Sequence, residues 1–417
     1  RPYALIPDPY GKDASFADHF FKEFQKYWQP MGLDPEVIKN YEDLYKPGHM
    51  RPYIEQALEH TAPIKKVFEK LSNRTLPDEW TPVAVLQDGR FEKGDLSTWD
   101  PKAGTLNGID YTSGQAKLDW RLDWPARWAY LKVDVEPFGA QEHGAAGGSY
   151  DTGERFAKTV FGIEAPYGKV RYGHIHRPGE NIKMSSSKNN VVTPSEALDI
   201  MPAEVLRYFM VRSRPEKKLF FDAGLGLYNL IDEFAAAGAD PHHEFRDAYE
   251  FAAAGATGQV ISTISFKHLV QVYQAAQGDP GEVLTVLRRT GYAEQVKAER
   301  DIILAELPFI KNWLTKYAPE EVKFNVQTQL GHPDLTETQR VFLRYLAESI
   351  ENHTGDLDGA AMHMLIYAAK DKDNLPPKEA FQALYRIILG KDYGPKAGWF
   401  LASLDRTWLI QRLRLQK

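Results

Sequence analysis

The chain has no cysteine. Disulfides and thiolate zinc sites are therefore excluded, and no structural zinc is expected. It has no run of about 18 apolar residues, the length a helix needs to span a bilayer, so no membrane partner is expected. It has no excess of basic residues: 51 Lys and Arg stand against 57 Asp and Glu, a formal net charge of −6. Any contact with nucleic acid must then come from local patches. No signal peptide is recognisable, and a cytoplasmic location is the expectation. A starting methionine is also lacking. Arg1 opens what reads as a mid-protein loop, which leads us to expect sequence ahead of it.

What is present is the composition of an ordinary globular protein, and 417 residues are more than one core normally fills. After a Pro-rich start, Phe16, Phe20, Phe24 and Tyr27 fall at helical spacing, which predicts a helix over 14–28 with its aromatics in the core. Further helices are expected over 35–46 and 50–73. Residues 80–117 change period: Val83, Val85, Phe91, Ile109 and Tyr111 sit among Gly-containing turns, the pattern of a small antiparallel hairpin insertion. A strand over 131–138, a glycine-rich turn at 141–153 and a helix over 154–161 then form an α/β pattern, with another strand over 170–175.

The stretch Lys183-Met184-Ser185-Ser186-Ser187-Lys188 feeds a helix start at Thr193-Pro194-Ser195-Glu196, where a hydroxyl cap, a first-turn proline and a capping-box glutamate coincide. Ammonium groups, hydroxyls and loop amides converging there suit a polyanion such as a triphosphate. Alone, such a stretch reads rather as a solvated basic loop. Residues 216–258 read as a connecting helical or linker region, with a helix over 225–237 and an Ala/Gly-rich hinge or linker over 235–258; His242-His243 within it reads as surface loop rather than a metal pair. From 259 to 417 helical periodicity dominates, ending in a helix over 397–415. Near that end Lys396, Arg406, Arg412, Arg414 and Lys417 interleave with Trp399, Phe400 and Trp408. Lys396, Trp399, Arg406 and Arg412 are the candidates for binding single-stranded nucleic acid, since cations meet phosphates and rings stack on bases; an amphipathic helix with core aromatics is the alternative.

The loop Lys183–Lys188 resembles the KMSKS signature of class I aminoacyl-tRNA synthetases. The runs at 120–128, 136–139, 147–153, 193–197 and 390–398 resemble class I lysyl-tRNA synthetases in particular, in family order along the whole chain. The resemblance implies a partial Rossmann-type catalytic domain over 1–215, carrying the 80–117 insertion and the loop at 183–190. It implies an all-α anticodon-binding domain over 259–417. It implies ATP with its magnesium, lysine and tRNA(Lys) as substrates, and no protein-bound metal. Lys183 and Lys188 take the catalytic role at the departing pyrophosphate, with Met184, Ser185, Ser186 and Ser187 completing the ATP loop. Trp120 and His143 match the lysine pocket, and Ser149, Tyr150 and Asp151 face the adenylate. Asp123 and Arg127 read equally as a structural ion pair.

Two departures stand out. The family's HIGH-type motif does not occur before residue 120, and Gly173-His174-Ile175-His176 carries similar letters in the wrong half of the fold, where it is expected to mean nothing. About a hundred residues, half a catalytic domain, are expected ahead of Arg1 or in a complementary chain. Ala140-Gln141-Glu142 also looks like a one-residue insertion before His143. The competing readings are a truncated paralogue that binds tRNA without aminoacylating it, and an enzyme for another amino acid or acceptor.

Overall fold

The hairpins of the insertion have turns that are encoded locally. Strand β1 (Trp80–Gln87) pairs antiparallel with β2 (Arg90–Asp95) through Asp88-Gly89, and β3 (Thr105–Leu106) pairs with β4 (Ile109–Asp110) through Asn107-Gly108. All four turn residues have positive φ, the backbone of the tight hairpin turn that Asp-Gly and Asn-Gly favour. β5 (Ala116–Leu118) adds to the free edge of β1, giving a three-stranded sheet in the order β2-β1-β5. In this computed structural model the described residues are 3–145, 147–179, 183–185 and 191–416. They divide into two compact units, the first built from residues up to 176 with 183 and 213–219, the second from 177–179, 184–212 and 220 onward. Residues 184–212, which the sequence groups with the catalytic part, fall in the second.

In the first unit, α1 (Phe16–Gln25) is capped by the Ser15 hydroxyl, which accepts from the Asp18 N–H. Its aromatics are not core, contrary to expectation. Phe20 is 47% and Phe24 53% exposed, and the rings pack on one another, Phe16 on Phe20 at 4.6 Å. Helical spacing identifies a face, not what lies against it. The helix expected over 35–46 is reduced to one wide turn, Asn40–Tyr45. The helix expected over 50–73 is two, α2 (Arg51–Glu59) and α3 (Thr61–Ser72). Pro63 has no N–H to continue the ladder, and the Thr61 hydroxyl donates instead to the Ala57 and Leu58 carbonyls. Ile54, Ile64, Val83, Val85, Leu106, Leu118, Leu122 and Phe156 share one core.

On that core sits α4 (Trp120–Leu131), followed by β6 (Val135–Gly139), α5 (Ser149–Thr159) and β7 (Gly168–Tyr172). β6 and β7 are parallel, with Val135 opposite Gly168 and Gly139 opposite Tyr172. This β–α–β unit is the α/β element that the glycine-rich turn announces. β8 (Ile175–His176) follows, and β9 (Leu219–Phe220) returns with the Leu219 N–H donating to the His174 carbonyl at 3.1 Å.

The second unit starts with α6 (Pro194–Leu198), whose capping box forms as expected: the Thr193 hydroxyl accepts from the Glu196 N–H while the Glu196 carboxylate accepts from the Thr193 N–H. α7 (Ala203–Val211), α8 (Gly226–Ala239) and α9 (Arg246–Ala252) follow. α8 is the helix expected over 225–237, whereas its end and α9 occupy the stretch 235–258 read as linker, because alanine is the strongest helix former and two arginines close the ends: Arg246 donates to the Gly238 carbonyl at 2.7 Å and Arg207 to the Ala252 carbonyl at 2.7 Å. The rest is helical as expected: α10 (Phe266–Ala275), α11 (Pro280–Leu287), α12 (Ala293–Lys316), α13 (Glu337–Glu351), α14 (Gly359–Asp371), α15 (Pro377–Leu389), α16 (Ala397–Ser403) and α17 (Arg406–Leu413). The single helix expected over 397–415 breaks at Leu404, which is extended, and Asp405 caps α17 by accepting from the Trp408 N–H. Phe342, Leu346, Ile366, Leu384, Ile388, Leu401 and Leu409 form its core.

Candidate active site

α4 presents Trp120 and Trp124 one turn apart toward the turn that follows β6. His143 stands edge-on to both, 6.0 Å from Trp120 and 5.5 Å from Trp124. Tyr150, in the first turn of α5, stacks on Phe138 at 4.0 Å and meets Trp124 edge-on at 5.8 Å. Trp128 ties α4 to β6 by donating from Nε1 to Glu136 Oε2 at 2.7 Å. The turn itself is tight. Asp151 accepts from the Gly147 N–H at 2.9 Å, and a Cβ on Gly148 would lie 2.6 Å from the Ala145 carbonyl oxygen, so only glycine fits there.

The result is an aromatic box with two polar atoms left over. The Tyr150 hydroxyl and His143 Nδ1 are both buried with no hydrogen-bond partner among the described residues. Burial, then the nearby Glu154 and Glu136, push the Tyr150 hydroxyl up to about 12, so it is a donor at any ordinary pH. Buried groups in native proteins are rarely left unpaired, and two of them within one cluster of aromatic rings are available to a polar ligand. Trp120 keeps 49% of its surface exposed, and the Arg121 guanidinium lies over its ring, 4.9 Å from the centroid.

Lys183 lies in the same unit. Its Nζ donates to Glu142 Oε1 at 2.7 Å, and His174 Nε2 approaches the same carboxylate at 2.5 and 2.7 Å. The Lys183 hydrogen bond first, then the His174 one, hold the Glu142 carboxyl at about 2. The Lys183 backbone pairs antiparallel with His176.

Residues 1–252 match the family described as tRNA synthetases class I (K). The lysine–tRNA ligase of Methanosarcina barkeri is 36% identical over 445 residues, covering 99% of this chain and 81% of that protein. The lysine–tRNA ligase of Thermococcus kodakarensis is 33% identical, covering 100% of this chain and 83% of that one. The chain belongs to the class I lysyl-tRNA synthetases. A solved glutamate tRNA ligase from Elizabethkingia meningosepticum aligns over 95% of this synthetase and 88% of its own chain, at 13% identity and a TM-score of 0.39, too slight a likeness to bear on the fold.

The synthetase's expected site residues separate by what holds them. Trp120, His143 and Tyr150 come together. Ser149 is buried beside them, and Asp151 is exposed with one oxygen spent on the turn. Asp123 and Arg127 are the structural pair: Asp123 is buried, receives the Tyr45 hydroxyl at 2.5 Å, and lies 3.1 Å from Arg127 Nε. Met184 and Ser185 are half-buried; Ser186, Ser187 and Lys188 lie outside the described residues. Glu142, Trp124 and His174 were not singled out from sequence. His174, in the Gly173–His176 stretch from which nothing was expected, reaches the Glu142 carboxylate, and Gly173 passes so near Lys217 that a Cβ would meet its carbonyl oxygen at 2.4 Å.

The tRNA candidates divide too. Arg412 is 4% exposed and donates to the carbonyls of Ile387, Gln327 and Thr328 at 2.7 to 3.0 Å. Arg406 donates to the Ile350 and His353 carbonyls at 2.6 and 2.8 Å, closing the end of α13. Arg412 is thus buried against carbonyls, and Arg406 is half-buried against others. Lys396 is exposed and Trp399 half-buried; with Lys267, His268 and Tyr292 they line a cleft of about 810 Å³ in the helical unit.

Proposed function

We propose that this synthetase activates lysine with ATP and transfers it to the 3′ end of tRNA(Lys). The observation that carries the lysine half is the aromatic box with its unpaired Tyr150 hydroxyl and His143 Nδ1. The Trp120 face suits the lysine side-chain ammonium, which a ring quadrupole attracts, while the two unpaired atoms supply hydrogen bonds that fix its orientation. The lysine carboxylate attacks the α-phosphorus of MgATP; a P–O bond forms, the bond to the β-phosphate oxygen breaks, and pyrophosphate leaves. A terminal ribose hydroxyl of the tRNA then attacks the adenylate carbonyl and AMP departs. No protein nucleophile is required. The chain supplies position and charge, Lys183 at the pyrophosphate together with Ser185, Ser186, Ser187 and Lys188 along the loop. Magnesium enters with the nucleotide, and we assign it no protein ligand.

The helical region 259–417 is the anticodon-binding part in this reading, with Lys396 and Trp399 as its remaining candidate contacts. Among the described residues no helix is long and apolar enough to cross a membrane, and a cytoplasmic location belongs to the proposal. The presence of the lysine pocket argues against a paralogue that only binds RNA. Lysine-dependent exchange of labelled pyrophosphate into ATP tests the activity. Retained tRNA binding without such exchange would instead support the paralogue, and exchange driven by another amino acid would overturn the substrate.

A further inference from the structure

Glu142 sits between the two halves of the site. It immediately precedes His143 of the aromatic box, and its side chain turns back to Lys183. Two features of the backbone allow this. The His143 N–H donates to the Gly139 carbonyl at 3.0 Å, folding residues 140–142 over the end of β6. The Glu142 carboxylate then lies where Gly139 would carry a side chain: a Cβ there would come within 2.9 Å of Glu142 Oε2. On the opposite side, Gly173 passes close to Lys217 and brings His174 to the same carboxylate. The His176–Lys183 backbone pairing fixes where the lysine leaves the chain. Residues 32 and 41 positions apart thus converge on one carboxylate.

We propose that Glu142 is a positioning residue of lysine activation: clamped by His174, its carboxylate sets the place of the Lys183 ammonium beside the aminoacyl pocket. The proposal rests on the activation reading above. Lys183 and Glu142 keep 45% and 36% of their side-chain surface in solvent, so the pair is screened and lies in the weak range of exposed ion pairs. That is the range suited to aiming a charge that must also meet phosphate oxygens. A pair many times stronger would hold the ammonium away from the nucleotide.

The test uses the full chain. Glu142→Gln should lower the maximal rate of lysine-dependent pyrophosphate exchange about tenfold while the KM for lysine changes less than about twofold. Glu142→Asp, keeping the charge, should recover part of the loss. In a Lys183→Ala background Glu142→Gln should cost nothing further, because the group it positions is gone. A wild-type rate for Glu142→Gln, or losses that simply add in the double variant, overturns the proposal. A second measurement does not depend on activity. Acylation of Lys183 by an amine reagent, followed by mass spectrometry, should run about threefold faster in Glu142→Gln than in wild type, as the ammonium loses this carboxylate. An unchanged rate overturns the clamp even if exchange proves absent, whereas absent exchange with a faster acylation overturns only the assigned reaction.

Discussion

Glu142 in the first unit and Glu306 in the second are the same residue type under opposite rules. Glu142 is exposed, has Lys183 and His174 on its carboxylate, and is held at about 2. Glu306 is 3% exposed, accepts from the Ser262 N–H at 2.6 Å, and is pushed up to about 7, by burial above all, with Ser262 pulling the other way. The contrast extends to their surroundings. Around Glu142 the charges are paired with charges and reach solvent, while the neighbouring box leaves Tyr150 and His143 with unmet hydrogen bonds. In the helical unit, polar groups are spent on structure: Arg412 and Arg406 on carbonyls, and Trp313 Nε1 on the Ala223 carbonyl at 2.7 Å. Unmet atoms occur in the helical unit as well, at the Ser262 hydroxyl, His268 Nε2 and Arg289 Nε, so what sets the first region apart is that two of them lie within one cluster of rings.

The sharpest way to break this contrast is Lys183→Ala. Removing one charge at the departing pyrophosphate should lower exchange about 10²–10³-fold, with lysine affinity, read by tryptophan fluorescence, unchanged. Equal losses in both would place Lys183 in the amino-acid pocket instead. Arg412→Met should do the reverse. It strands three carbonyls and should lower unfolding stability by about 3 kcal/mol in a urea titration, while exchange per folded molecule stays at the wild-type value. A stable Arg412→Met variant with weakened tRNA binding would return Arg412 to the nucleic-acid surface.

Glu306→Gln tests the burial side of the comparison through pH. The folded carboxyl titrates at about 7, above its usual 4.5. It binds its proton more readily folded than unfolded, so its contribution is fully present below 4.5 and is lost as pH rises through about 7. The Gln variant should therefore gain on the order of 2 kcal/mol over wild type at pH 8 and show a flatter profile from 4.5 to 7; a parallel profile would mean that Glu306 is not the group responsible. The smallest effect is expected of Tyr150→Phe. It should weaken lysine binding about tenfold, yet leave the melting temperature unchanged or raised, because the hydroxyl it deletes has no protein partner. A fall in melting temperature with normal lysine binding would make Tyr150 a structural residue.

Local chemistry was legible wherever neighbours in sequence are neighbours in space. The Asp88-Gly89 and Asn107-Gly108 hairpins, the Thr193 capping box and the helices from 259 onward all follow from residues a few positions apart. Alanine content misled at 235–258, where flexibility was inferred from residues that favour helix once Arg207 and Arg246 close the ends. Aromatic spacing misled at α1, since Phe20 and Phe24 form a face that stays half in solvent. In the site, Trp120, His143 and Tyr150 were found by their motifs, whereas Trp124 was hidden among them and Glu142 lay in what looked like an insertion.

The amino-acid sequence alone determined the family, the hairpin insertion and the helical C-terminal region, because motifs, turn residues and helix caps act over short stretches of chain. Only the tertiary structure decided which charges serve chemistry. Arg412 looked like a phosphate ligand until folding buried it against three carbonyls, and His174 looked like noise until folding set it on Glu142 beside Lys183. A side chain's partners come from segments distant in sequence, and burial, which sets the cost of leaving a charge unpaired, exists only once those segments have met.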